Sequence, residues 1–108
     1  MIFVTGGAAQ GKRQFATDYF PGAMIMAAYQ LTIEQCIKEG KDPVVQAQAM
    51  LSISPDVVIV MSEMGSGIVP VEAKDRILRD EVGRVGCYLA EQAEEVYRVV
   101  AGIGMRIK

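Results

Sequence analysis

Histidine is absent from all 108 residues, and so is tryptophan. Without histidine the chain has no imidazole base, no imidazole nucleophile and no His-ligated metal. Cysteine is scarce. Cys36 and Cys87 stand far apart and form no CxxC pair. That argues against a redox motif or a thiolate zinc site and fits a reducing, cytoplasmic setting. Basic charge is not in excess: 11 Lys and Arg face 13 Asp and Glu, so nucleic acid is not an expected partner. Long apolar runs are also missing. The uninterrupted ones, Ala23 to Tyr29 and Val57 to Met61, are too short to cross a bilayer, and no membrane span is expected. The first residues, MIFVTGG, carry neither a basic leader nor a signal-length apolar stretch, so no secretory signal is expected.

What remains is the composition of a folded globule. Apolar residues make up 51% of the chain and the formal net charge is only -2, which excludes disorder. The length suits one domain over residues 1–108, with neither a linker nor an internal repeat. Ile2 to Thr5 reads as a buried strand closed by two glycines, and Lys12 to Phe20 as a helix stopped by Pro21-Gly22. Ala23 to Tyr29 suits a second strand, although its Ala and Met content also permits helix. A helix is expected over Thr32 to Glu39, capped by Thr32 and ended by Gly40. Asp42-Pro43 opens another, with proline at the first helical position, running to about Ile53.

Val57 to Met61 is the clearest strand, a β-branched run suited to the middle of a parallel sheet. A loop containing Gly65, Gly67 and Pro70 follows. From about Val71 the spacing of Leu78, Val82, Val85, Leu89 and Ala93 predicts a long helix, weakened at Gly83 and Gly86, where a bend or a close contact is expected. Glu95 to Val100 is a last strand, and Met105 to Lys108 a short edge strand. Alternating strands and helices give an α/β fold with a mainly parallel sheet flanked by helices. Cys36, Cys87 and the seven methionines are assigned to the core.

One loop carries chemistry. Gly6-Gly7-Ala8-Ala9-Gln10-Gly11-Lys12-Arg13 fits the phosphate-binding pattern Gly-x4-Gly-Lys-Ser/Thr at every defined position but the last. Gly6 and Gly11 permit backbone angles that turn successive N–H groups toward an anion. A helix beginning near Lys12 adds its positive end, and the Lys12 ammonium can reach the β and γ phosphates. The alternative is a Gly-rich strand-to-helix turn without a ligand. Arg13 stands where a hydroxyl ordinarily holds magnesium, and a guanidinium has only donors. Either Arg13 neutralises phosphate charge, or the metal is held elsewhere, or catalysis has been lost. A dinucleotide fingerprint fits less well, because Ala8 occupies its second glycine position and no acid follows the second strand.

The second half adds specificity. Val58 to Pro70 reads VIVMSEMGSGIVP; Arg76-Ile77-Leu78-Arg79-Asp80, Gly83-Arg84 and Leu89-Ala90 follow, then EEVYRVVAGIGMRIK. This resembles the bifunctional adenosylcobinamide kinase/adenosylcobinamide-phosphate guanylyltransferase family of cobalamin synthesis. Its members read V-T-N-E-V-G-x-G-I-V-P, then R-x-F-R-D-x-x-G-R-x-N-Q-x-L-A, A-D-E-V and G-I-x-x-x-K. Val4 to Lys12 resembles the family's V-T-G-G-A-R-S-G-K. The resemblance implies a P-loop NTPase-like fold, use of GTP or ATP, adenosylcobinamide as acceptor, a homo-oligomer, and guanylyl transfer through a modified histidine.

The departures are as informative. The chain is shorter than the family between the second strand and Asp56, the region of that histidine. The family's second acidic strand has no counterpart, its Asn-Gln has become Gly86-Cys87, and its metal-holding Ser has become Arg13. Guanylyl transfer by the histidine route is therefore not expected, whereas kinase chemistry is. A nucleotide-binding or regulatory module with a degenerate loop is the alternative, and a structural protein that has lost the ligand is a third. Lys12 is the expected stabiliser of the transferring phosphoryl group, and magnesium is in question because of Arg13. Glu63, just past the strongest strand, is a candidate for orienting metal or water, or else caps the loop or pairs with Arg76 or Arg79. Arg76, Arg79 and Arg84 read as a solvated or subunit-facing surface.

Overall fold

Ile2–Gly6 form β1, whose side chains alternate between two apolar layers, so the strand lies at the centre of the sheet rather than at its surface. The computed structural model describes residues 1–63 and 73–108. After β1 come α1 (Lys12–Tyr19), β2 (Ile25–Met26), α2 (Tyr29–Lys38), α3 (Pro43–Ile53), β3 (Val58–Ser62), α4 (Ala73–Gln92), β4 (Glu95–Val100) and β5 (Ile103–Arg106). The sheet runs β2-β3-β1-β4-β5, with every pairing parallel except the β4–β5 hairpin.

Period-two alternation divides the core. Met1, Phe3, Val57, Ile59, Met61 and Val96 face α2, α3 and α4, whereas Val4, Val58, Val60, Tyr97 and Val99 face α1. Val57 to Val60 are all β-branched, as suits a strand covered on both faces, and Val57 to Met61 are all 3% exposed or less. Each such side chain contributes about 1.5–3 kcal/mol by leaving water.

Several elements follow local signals closely. Asp42 caps α3, its Oδ1 accepting from the Val44 N–H at 2.9 Å, and Pro43 occupies the first helical turn. Others depart from the sequence expectation. The second strand contracts to Ile25–Met26, because it pairs on one side alone, with β3. Helix α2 begins at Tyr29 rather than behind a Thr32 cap. Its N-cap is Ala28, in the left-handed region and without a side-chain cap bond, and Tyr29 is driven into the core at 1% exposure. The last strand is Ile103–Arg106, earlier than Met105 to Lys108, because the Ala101-Gly102 turn sets Val100 opposite Ile103.

The expected close approach at Gly86 is present: a Cβ there would stand 3.3 Å from Met61 Cε, whereas nothing lies within 4 Å of one at Gly83. Cys36 is buried but Cys87 is exposed, since it falls off the buried stripe of α4 that carries Val82, Val85 and Leu89. Met1 and Met61 are core residues, whereas Met24 and Met105 are exposed, so methionine fills the core only in part. The loop with Gly65, Gly67 and Pro70, and the helix start at Val71, lie outside the described residues. Among the described residues, no helix is long and apolar enough to cross a membrane.

Candidate functional site

The parallel strands β1, β3 and β4 end on one edge of the sheet, and the Gly6 to Arg13 loop leaves the central strand there. Crevices at the carboxyl ends of parallel strands are where open α/β sheets take ligands. The loop is shaped by two glycines with physical necessity behind them. Gly6 has φ +154°, and a Cβ on it would stand 2.5 Å from the Val99 carbonyl oxygen. Gly11 has φ +83° and lies against Gly102, to whose Cα an added Cβ would come within 3.3 Å. Ala9 also takes the left-handed conformation, with φ 56°.

Gly11 is the N-cap of α1 and has no side chain to offer, and no acidic residue lies in the first turn. The first N–H groups of the helix thus lack both an intrahelical acceptor and a side-chain cap, and they carry the positive end of the dipole. Lys12, in that same turn, is 7% exposed. Its Nζ donates to the Gly7 carbonyl at 2.6 Å, so the ammonium is folded back into its own loop. Burial pushes its pKa below the ordinary value of 10.5, and the negative charge of Glu63 works in the opposite sense. A buried cation among uncapped N–H groups can attract an oxyanion.

A cleft of about 290 Å³ opens beside this loop, lined by Ala9 to Gln14, the Ala27, Ala28 and Gln30 segment after β2, and Val60 and Ser62 of β3. Gln30 Oε1 accepts from the Ser62 N–H at 3.1 Å, which ties the end of β3 to the start of α2. The loop is also tied on its other side. The Gln10 side-chain oxygen accepts from Ala101 N–H at 2.7 Å, and the Gln10 carbonyl accepts from Gly102 N–H at 2.8 Å. Gly6, Gly7, Ala8, Ala9, Gln10, Gly11, Lys12 and Arg13 therefore form one loop strapped to the β4–β5 turn.

Glu63 follows β3, where its N–H donates to the Gly6 carbonyl at 2.8 Å. Its carboxylate is held by Arg98, with Arg98 Nε 3.1 Å from Oε1, rather than by Arg76 or Arg79. Arg79 pairs with its neighbour Asp80, while Arg84 joins Glu81 and, across to the α3 cap, Asp42. Sequence distance hid the Arg98 contact, which spans 35 residues. The register that aligns Thr5 with both Met61 and Arg98 brings β3 and β4 into reach of each other across β1.

These residues do not make a cation cage. Arg13 brings no lone pair, Lys12 is itself a cation, and Glu63 is already paired with Arg98. Among the described residues no group of three or more His, Cys, Asp or Glu side chains gathers. Magnesium ordinarily takes one or two carboxylates together with substrate phosphates, and that donor set is not assembled by the side chains described.

Comparison with known proteins places much of this sequence in a family. The bifunctional adenosylcobalamin biosynthesis proteins CobU of Salmonella typhimurium and of Escherichia coli are each 52% identical to the chain over 52 residues. That stretch is 48% of this chain and 29% of either relative, so less than a third of the curated relatives' length is spanned. The cobinamide kinase / cobinamide phosphate guanyltransferase family matches residues 22–107, beginning beyond the Gly6 to Arg13 loop, whose reading as a phosphate seat rests on its own residues. The match covers well over half of the sequence, and the chain belongs to the cobinamide kinase / cobinamide phosphate guanyltransferase family.

Proposed function

We propose that the chain binds the triphosphate of GTP or ATP on Gly6 to Arg13 and acts as the kinase-type part of a cobinamide-family protein. The observation that carries this is Lys12: a buried ammonium inside a glycine-bounded loop, at the uncapped start of a helix on the central parallel strand. An incoming phosphate replaces the Gly7 carbonyl as the partner of Nζ and gathers the free N–H groups of α1. The cost of keeping that charge out of water is then offset by an anion.

In the transfer, the hydroxyl oxygen of adenosylcobinamide bonds to the γ phosphorus as the bond to the bridging oxygen breaks. A nucleoside diphosphate leaves, and the hydroxyl proton goes to solvent or to a nearby carboxylate. Lys12 contributes charge stabilisation to the developing oxygens, which is the larger part of phosphoryl-transfer catalysis. Arg13, exposed at the start of α1, adds a second positive charge where the loop pattern has a hydroxyl. Guanylyl transfer through histidine has no residue to use, since the 108 residues contain none.

A second reading has an observation of its own. Because Arg13 and the Glu63–Arg98 pair assemble no donor set for magnesium among the described residues, this geometry also supports a nucleotide-binding module without turnover. Calorimetric titration with GTP and ATP, with and without magnesium, followed by transfer of labelled γ-phosphate to cobinamide, separates the two. Magnesium-dependent transfer supports the kinase, and metal-independent binding without transfer supports the module. If a folded protein gives no heat with either nucleotide, both readings are lost. Two free thiols fit a reducing cytoplasm. An assembly of like chains, which the family resemblance implies, has an apolar surface available at Val100, Ile103, Met105 and Ile107 on the β4–β5 hairpin.

A further inference from the structure

We infer, on the footing of the phosphate seat proposed above, that this chain takes its triphosphate without a divalent cation. Arg13 supplies the charge a metal would bring, and Arg98 withholds Glu63 from any metal. The cleft beside the loop carries charge of one sign: Lys12 and Arg13 are cations, and none of its lining residues is an acid. Magnesium held with substrate phosphates ordinarily takes one or two protein carboxylates as well. Glu63 is an acid that the fold brings to the loop. Its N–H donates to the Gly6 carbonyl at 2.8 Å, and its negative charge is felt at Lys12.

Arg98 engages that carboxylate at both oxygens. Nε stands 3.1 Å from Oε1 and Nη2 stands 3.4 Å from Oε2. Such a two-point contact suits the planar guanidinium and is not open to lysine. Sheet register creates it: Thr5 of β1 aligns with Met61 on one side and with Arg98 on the other, and Glu63 lies two residues beyond Met61. With both partners partly open to water, the pair itself is weak. What opposes a metal is the charge it places there. A divalent cation ligated by Glu63 meets a guanidinium across the same carboxylate, and like charges that close repel. Arg98 is a positioning residue, acting through Glu63 rather than on the phosphates.

Arg13 completes the substitution. The loop pattern has a hydroxyl at this position, and its oxygen is a metal ligand. The guanidinium offers donors alone and stands exposed in the first turn of α1, where it lines the cleft. Its fork can meet two phosphate oxygens and neutralise charge with no ion between. Lys12, Arg13 and the uncapped N–H groups of α1 then supply together the positive charge that other such loops share with magnesium.

Calorimetric titration with inorganic tripolyphosphate and with GTP, in excess magnesium and in chelator, tests this. The proteins are the wild type, Arg13→Ser, Arg98→Leu, and Arg98→Leu combined with Glu63→Gln. The wild type is expected to bind both ligands at least as tightly in chelator, because the free triphosphate carries more negative charge. Arg13→Ser is expected to lose about tenfold in chelator, the scale of one charge-assisted contact. Arg98→Leu is expected to bind more weakly in chelator and to recover with magnesium, a coupling of about fivefold or more. Adding Glu63→Gln to Arg98→Leu should erase that recovery, which lost packing at Arg98 does not reproduce. A wild type that binds more tightly with magnesium overturns the inference, as does an Arg98→Leu variant whose magnesium response matches the wild type's. Tripolyphosphate that binds the folded wild type in neither condition overturns the phosphate seat itself. Melting curves establish folding. Should Arg98→Leu fail to fold, the single variant Glu63→Gln decides: an unchanged magnesium response supports the inference, and an altered one overturns it.

Discussion

Gln10 and Ala101, 91 residues apart in sequence, are joined by a 2.7 Å hydrogen bond from the Ala101 N–H to the Gln10 side-chain oxygen. The Gly102 N–H adds a second bond, to the Gln10 carbonyl, so the Gly6 to Arg13 loop hangs on the β4–β5 turn as well as on β1 and α1. Loop shape is therefore a property of the sheet's far hairpin, and a change in either place is felt in the other.

Gln10→Ala removes one of these bonds and leaves the other. A side chain to backbone bond of this kind is worth about 0.5–1.5 kcal/mol. A fall in Tm of about 4–8 °C per kcal/mol is expected for a domain of this size. Triphosphate affinity should drop several-fold because the loop is no longer held in one shape. Calorimetry and a melting curve on the same sample check both, and an unchanged affinity alongside a lowered Tm contradicts the coupling.

Gly6→Ala meets the Val99 carbonyl and a backbone angle that side chains avoid. The two penalties together should cost about 2–4 kcal/mol, from strain of about 1–3 kcal/mol plus the clash. Denaturant unfolding at equilibrium measures this. Gly22→Ala, with φ +79° and nothing within 4 Å, carries left-handed backbone strain without a clash and should cost less.

Lys12→Met separates stability from binding. Burial lowers the Lys12 pKa, so the folded state holds that proton more weakly than the unfolded chain. Where the unfolded chain binds more protons, stability rises with pH; the contribution of Lys12 therefore rises as pH climbs through its lowered pKa toward 10.5. Lys12→Met should flatten this alkaline rise and keep or raise the Tm at neutral pH, while phosphate binding disappears. A lower neutral Tm in the variant contradicts the view that the buried charge is held for function at the expense of stability.

The Arg84–Asp42 contact makes an acid prediction. Hydrogen bonds from Arg84 and then from the Val44 N–H hold the Asp42 pKa below its ordinary 3.8. A lowered carboxylate pKa gives stability that is present above the unfolded value and is lost as pH falls through the folded one. Arg84→Gln should be less stable than the wild type at neutral pH, with the gap closing below pH 3.8. A gap that stays constant into acid shows that Arg84 acts through packing instead. The exposed Arg98–Glu63 pair, by contrast, is screened by water and should add little.

Local chemistry explains which elements the sequence disclosed. The β3 run and the Asp42-Pro43 helix start were readable because each is decided by residues next to one another: a double-faced apolar strand and a cap with its proline. The start of helix α2 is not legible in the sequence because no polar side chain caps it. Its beginning is set by Tyr29 seeking the core, a tertiary effect. The apolar run from Ala23 to Tyr29 likewise divides between a two-residue strand and a helix according to which neighbours are in reach. At the site, the loop pattern located Gly6 to Arg13, but the partners that hold it did not show. Arg98, Ala101 and Gln30 reach their contacts through sheet register and crossover, across 32 to 91 positions. Glu63 stands out in the sequence for its place after β3, whereas its partner lies on a strand that only the fold brings near.

The most direct test of the central claim, that Gly6 to Arg13 seats a triphosphate, is amide chemical-shift mapping by NMR on titration with a non-hydrolysable GTP analogue. The account predicts large shifts for the amides of residues 7–14 and smaller ones at Ala101 and Gly102, with α3 silent and all of these shifts lost in Lys12→Ala. Shifts that leave the loop untouched, or that persist in Lys12→Ala, would contradict it.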